Sequence, residues 1–214
     1  MPLTSIRVIA SRRQACSLPH RAAGVGMIEV LVALIVLSVG MLAVIGMQIT
    51  GKQAYADSVL RTSAAHLSSD LIERMRVNNN GLNAYLSSSV LGGTSLSAPA
   101  NACDSSSSPC TQAELAARDL YVWERALDGA EESRQVSGNT RETGGLVNAR
   151  ACVTGPSSGG SGLYELTIVW RGKQEQSTAN LGTSVCGGGL DGTGLYGSAN
   201  RYRRILRVSF FIGV

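Results

Sequence analysis

The feature that most constrains this chain is an apolar run at residues 30–51, VLVALIVLSVGMLAVIGMQITG, with a carboxylate, Glu29, directly before it. Glu29 is the sole charge between Gly24 and Gly51. At about 1.5 Å per helical residue, such a run is long enough to cross a bilayer core of about 30 Å. An ionised carboxylate within lipid costs roughly 2.5–3.5 kcal/mol or more, so Glu29 is expected to have a partner.

The formal charge of +4 invites a reading as a nucleic-acid binder, but its distribution argues against one. The whole excess lies in Arg7, Arg12, Arg13 and Arg21, upstream of Gly24, where there is no acid. The remaining chain is formally neutral and carries no electrostatic footprint for DNA or RNA. A basic leader before an apolar run suits a secretory signal, and Ala54-Tyr55-Ala56 has the form of its cleavage site. Cleavage there would release a secreted binding protein. Against it, the run is about twice the usual length of a signal-peptide core, and the cut would fall inside a continuing helical pattern.

The bond between Gly24 and Val25 is the better candidate. Residues 24–34, GVGMIEVLVAL, resemble the type III signal of type IV pilins and pseudopilins. That family has a glycine before the cut and a glutamate five residues into the mature chain. Val25 stands where phenylalanine or methionine is usual. The resemblance implies cleavage after Gly24 by a prepilin peptidase, N-methylation of Val25, and a cytoplasmic leader with the apolar helix as inner-membrane anchor. It also answers the question of the partner. Glu29 would lie one turn from the new α-amine, at the positive end of the helix dipole. In the filament it would meet the α-amine of a neighbouring subunit, which offsets much of the cost of burying it. The alternative is a carboxylate that snorkels to the headgroups.

The helical pattern continues past Lys52. Leu60, Ala64, Leu67, Leu71 and Met75 recur at three- and four-residue spacing, and Asn78-Asn79-Asn80-Gly81 is a stop. One helix is therefore expected over residues 25–77, apolar all round in its first half and amphipathic in its second. Gly40, Gly46 and Gly51 weaken it locally. Residues 1–24 form the cleaved leader, 25–51 the membrane and assembly helix, 52–80 its amphipathic continuation, and 81–214 the head.

In the head, residues 87–109 read as a loop. Thr111-Gln112-Ala113-Glu114 has capping-box form and opens a helix in which Ala116, Leu120, Trp123 and Leu127 face a core. Strands are expected at 146–153, 164–170 and 205–212, with a glycine-rich loop at 182–200. The fold class is α+β, a type IV pilin-like fold with its long helix against a small antiparallel sheet. Cys16 lies in the leader, and Cys103, Cys110, Cys152 and Cys186 follow the anchor. An even set beyond an anchor suggests two disulfides in an oxidising compartment. Of three connectivities, sequence proximity favours Cys103–Cys110 with Cys152–Cys186. Zinc is the rival reading, but there is no C-x-x-C, and His66 is the only histidine beyond the leader.

No enzyme signature is legible, and no cofactor or metal is expected. There is no P-loop, and residues 155–162, GPSSGGSG, although 155–159 have the form G-x-S-x-G, read as a hairpin loop. His66 has no nucleophile at helical spacing. Asp70 and Glu73, accompanied by Arg74 and Arg76, read as surface salt-bridge partners. Tyr202-Arg203-Arg204 reads as a charged strand edge that discourages unwanted pairing, with contact to another pilin or a tip protein as the alternative.

The sequences LSVGML at 37–42, AARDL at 116–120 with Trp123, ARAC at 149–152, VWRG at 169–172 and YRR at 202–204 follow an order similar to that of PilV-type minor pilins. The resemblance implies a filament subunit that helps initiate or modify type IV pili, with roles in adhesion and motility. Its partners would be other minor and major pilins, the inner-membrane assembly machinery, the prepilin peptidase and a tip adhesin. A type II secretion pseudopilin shares the same N-terminus and remains the alternative.

Overall fold

The computed structural model describes residues 24, 26–86, 90–93, 95–104, 109–130, 132–142, 144–176, 186–187 and 194–213. Residues 1–23, with Cys16 among them, and Val25 lie outside the described residues. The chain divides into two units, Met1–Met47 and Gln48–Val214. Helix α1 (Met27–Val77) contributes to both, its 51 residues close to the expected 25–77.

In the first unit, the described helix is exposed at every residue. Ser38 Oγ donates to Ile35 O at 2.8 Å, so its hydroxyl is satisfied within the helix.

In the second unit, α1 buries Ala64, Ser68, Leu71, Ile72 and Met75, with Leu60 and Leu67 partly buried beside them. This is the stripe the spacing predicts. The asparagine run ends the helix, and Asn78 Nδ2 donates to Gln112 O at 2.8 Å, tying that end to the start of the next long helix. A 3-10 turn at Asn79–Gly81 leads into a short helix, α2 (Leu82–Leu86), which sequence reasoning did not anticipate. Five residues are too few to show a helical period, yet α2 delivers Leu82 and Tyr85 to the core.

Helix α3 (Gln112–Asp128) starts as expected. Thr111 Oγ1 accepts from Glu114 N at 3.3 Å, and the Glu114 carboxylate accepts from Thr111 N at 2.8 Å. Gly129 closes it at φ 77°, and a Cβ there would lie 1.9 Å from Gly145 N, so only glycine permits this crossing of backbones. Ala116, Leu120, Trp123 and Leu127 are buried, and Trp123 Nε1 donates to Leu67 O on α1 at 2.8 Å.

A hairpin follows, β1 (Ser133–Val136) and β2 (Asn139–Glu142), joined by Ser137 and Gly138 at positive φ. Its strands lack apolar alternation, which is why no strand is expected there. The main sheet has the order β3-β4-β5, antiparallel throughout: β3 (Arg150–Thr154), β4 (Gly162–Arg171) and β5 (Arg203–Ile212). Ala151 faces Ile168, and Leu166 faces Val208 across the ladders. β3 begins later than the predicted 146, because Asn148 takes a left-handed conformation (φ 51°) that a strand does not accommodate. Residues 155–161 form the expected hairpin connection.

One face of β4 carries Tyr164, Leu166, Ile168 and Trp170 into the core with α1 and α3. Tyr164 stacks on Phe210 with centroids 5.9 Å apart. The opposite face is also partly covered. Thr167 and Val169 are buried with Cys186 and Tyr196, and Tyr196 Oη donates to Asn148 O at 3.0 Å. The sheet thus departs from a simple inside–outside alternation at Thr167. The disulfide Cys152–Cys186 pins this covering segment to β3, and Cys103–Cys110 closes a short loop before α3.

Candidate functional site

The segment expected to carry processing and assembly starts at Gly24, which is exposed and has open space where a Cβ would sit. Its backbone is therefore accessible to a second protein. Glu29 lies in the first turn of α1, its N–H donating to Gly26 O at 2.9 Å. The side chain is exposed. Val25, the expected first mature residue, lies outside the described residues, so the structure does not place it beside Glu29.

Within the first unit, the exposed large apolar residues range from Val30 at 48% to Met27 at 86%. Each large aliphatic side chain gains about 1.5–3 kcal/mol on burial. A helix exposed at every described residue of this unit is therefore a surface that demands a cover, either lipid or other helices. Cβ atoms at Gly40 and Gly46 would meet nothing within 4 Å, so neither glycine is needed for close approach within this chain. The most apolar window of this helix is long enough to span a membrane by length and composition.

In the head, charged groups act as internal ties. Arg74 bridges Asp70 at 3.0 Å and reaches Asp119 on α3 at 3.2 Å, and Tyr85 Oη donates to Asp119 at 2.5 Å. Burial, followed by this bond to Asp119, pushes the Tyr85 hydroxyl well above its usual range. Glu73 pairs with Arg76 at 2.7 Å, and His66 is exposed on α1. Asp70 and Glu73 thus sit in the surface salt bridges expected of them.

Glu124 is 2% exposed and binds the incoming loop. It accepts from Gly92 N at 2.7 Å, Ser95 N at 3.1 Å, Ser95 Oγ at 2.5 Å and Leu96 N at 2.8 Å. Burial opposes its ionisation, but the bonds from Ser95, Gly92 and Leu96 outweigh that and hold the carboxyl below its usual range. Asp57, on α1, joins the helix to the sheet. It pairs with Arg204 at 2.8 Å and accepts from Lys173 N at 2.7 Å.

The Tyr202-Arg203-Arg204 expectation needs correction. β5 is an edge strand, but its first two arginines do not guard it. Arg203 is 4% exposed and donates to Cys186 O, while Arg204 is held by Asp57 and by Gln174 O at 2.7 Å. Tyr202 lies under the Arg171 guanidinium at 5.0 Å. Acceptors from α1 and from the covering segment draw these charges inward.

Sequence reasoning missed Glu124 and Asp57 as structural residues. A signal existed for both. Glu124 sits between Leu120 and Leu127 on the buried face of α3, and Asp57 precedes Leu60 and Ala64 at the same helical spacing. An acid on an apolar stripe needs internal donors. Among the described residues, no group of His, Cys, Asp and Glu side chains is arranged to hold a metal ion.

Two family models match the sequence. One, described as a prokaryotic N-terminal methylation motif, covers residues 19–45. The other, described as type IV pilin Tt1218, covers residues 46–121. The first includes Gly24, Val25 and Glu29, and the second runs from the middle of α1 into α3. No curated protein and no solved structure matches the chain.

Proposed function

We propose that this chain is a minor pilin, a reading supported by its similarity to a prokaryotic N-terminal methylation motif over residues 19–45 and to type IV pilin Tt1218 over residues 46–121. Its role is to join type IV pili and help initiate or modify them, with contributions to adhesion and motility through its head. The observation that carries the reading is the methylation motif together with an apolar helix exposed at every described residue of the first unit. A helix of that kind has two environments available, the bilayer and a bundle of like helices.

The mechanism follows from that choice. A prepilin peptidase removes residues 1–24 and the new amine at Val25 is methylated. The helix holds the subunit in the inner membrane with its head in the periplasm, where Cys103–Cys110 and Cys152–Cys186 form in an oxidising compartment. Assembly moves the helix from lipid into a bundle, an exchange of one apolar cover for another. Apolar burial alone therefore supplies little net drive. Glu29 supplies direction, since its carboxylate is satisfied when it meets the Val25 amine of a neighbour. The order of head motifs supports a PilV-type subunit. The family is one of structural subunits, and the head is a recognition and assembly surface without catalysis.

Glu29→Leu tests the central step. The variant makes the anchor more apolar, so insertion and shortening proceed normally. It is expected in the membrane fraction and missing from sheared pili, while Glu29→Asp retains partial incorporation. Incorporation of Glu29→Leu at the parental level would replace charge pairing with snorkelling. A deletion that leaves pili intact and blocks protein secretion would favour the type II secretion pseudopilin.

A further inference from the structure

Within the head, a cleft of about 590 Å³ opens between the first turns of the amphipathic part of α1 and the start of β5. Asp57, Ser58 and Arg61 line it from the helix, and Trp170, Gln176 and Arg204 from the other side. Its acceptors are largely spent. Asp57 Oδ1 takes Lys173 N, and Oδ2 takes Arg204 Nη2, at 2.7 and 2.8 Å. Its donors are in excess. Trp170 Nε1 and Arg204 Nη1 are buried and have no acceptor among the described residues. Arg61 presents an exposed guanidinium, and Ser58 and Gln176 add a hydroxyl and an amide. Two guanidiniums against one carboxylate leave the cleft positive. Buried donors without acceptors are costly, and the guanidiniums in the lining favour an anion with several oxygens.

We infer that this cleft binds a phosphate group and that phospholipid headgroups supply it while the subunit waits in the membrane. The choice of anion follows from the donor set. Guanidinium forks match phosphate oxygens, and the lining supplies donor groups from both a helix and a sheet. The source follows from position and rests on the membrane-anchored reading above. Ala54 to Arg61 lie within about 15 Å of Gly51 along the helix, next to the headgroup layer that borders a bilayer core. Lys52 adds a further positive charge at that level. Entry into a filament would then exchange a lipid contact for a subunit contact on the same face of the head.

The test uses the full chain in detergent micelles, with bound lipid counted by native mass spectrometry. The probes are phosphatidylglycerol, phosphatidylcholine and inorganic phosphate, and the variants are Arg61→Gln and Trp170→Phe. The parent is expected to retain phosphatidylglycerol in preference to phosphatidylcholine, with inorganic phosphate competing for it. Arg61→Gln should weaken retention about tenfold, the scale of one charge-assisted hydrogen bond. Arg61 is exposed, so this variant carries the result even if Trp170→Phe fails to fold by near-ultraviolet circular dichroism. Binding of inorganic phosphate that Arg61→Gln weakens, without any preference for phosphatidylglycerol, overturns the lipid source and assigns the site to soluble phosphate. Equal retention of both lipids together with no phosphate binding, or retention unchanged in both variants, overturns the site. The phosphate arm is read in detergent, so it remains interpretable whether or not the chain proves to be a pilin.

Discussion

Replacing Glu124 by glutamine perturbs the head without changing its shape. The carboxylate is 2% exposed and accepts four hydrogen bonds from Gly92, Ser95 and Leu96, three of them at Oε1 and one at Oε2. If the glutamine keeps its oxygen at Oε1, its amide opposes Leu96 N–H, and one bond becomes a clash of donors. The other three change from charge-assisted to neutral. With about 1.5–3 kcal/mol for a bond to a charged group and about 0.5–1.5 for a neutral one, the loss comes to about 3 kcal/mol after relief of the charge's own desolvation. For a chain of this size that is a fall in Tm of about 6–12 °C. The assay is thermal unfolding of the full chain in detergent, followed by near-ultraviolet circular dichroism. A pH series adds a signature specific to the carboxylate. Its folded pKa is lowered, so its contribution is fully present above the ordinary glutamate value of about 4.3 and is lost as pH falls through the lower, folded value. The Tm gap between parent and Glu124→Gln should therefore be constant above about pH 5 and close on further acidification. A gap below about 0.5 kcal/mol at neutral pH would refute the reasoning.

Two further outcomes are expected. Opening Cys152–Cys186 by double serine substitution should cost about 4 kcal/mol, and opening Cys103–Cys110 about 2.5 kcal/mol, from the chain entropy of loops spanning 34 and 7 residues. Urea-free thermal melts rank the two, and non-reducing peptide mapping checks the pairing. Gly24→Leu should leave a full-length precursor in the membrane, because the peptidase must approach that backbone closely; an immunoblot showing normal shortening would contradict the cleavage assignment.

The parts of the fold legible in the sequence are those with a long period or a stereochemical device. The stripe from Leu60 to Met75, the Thr111–Glu114 capping box and the alternation at Tyr164–Trp170 each encode a local geometry that packing then uses. Elements that exist only by virtue of tertiary contact were not legible. Helix α2 has one turn, and the β1–β2 hairpin has no apolar face. The start of β3 depended on the left-handed Asn148, and the burial of Thr167 on a disulfide-pinned segment distant in sequence. The same holds for charge. Glu29 was conspicuous because nothing around it is polar, whereas Arg203 and Arg204 looked like surface cations. What buries them, Cys186 O and Asp57, is remote in the chain.

The central claim is that this chain is cut after Gly24 and enters a filament through its helix. Mass spectrometry of the N-terminal peptide, taken from filaments sheared off the cell surface, tests it most directly. The account predicts a chain that begins with methylated Val25. A chain that begins at Asp57 would instead mark a protein released by signal peptidase, and one that begins at Met1 an unprocessed anchor; either contradicts the account.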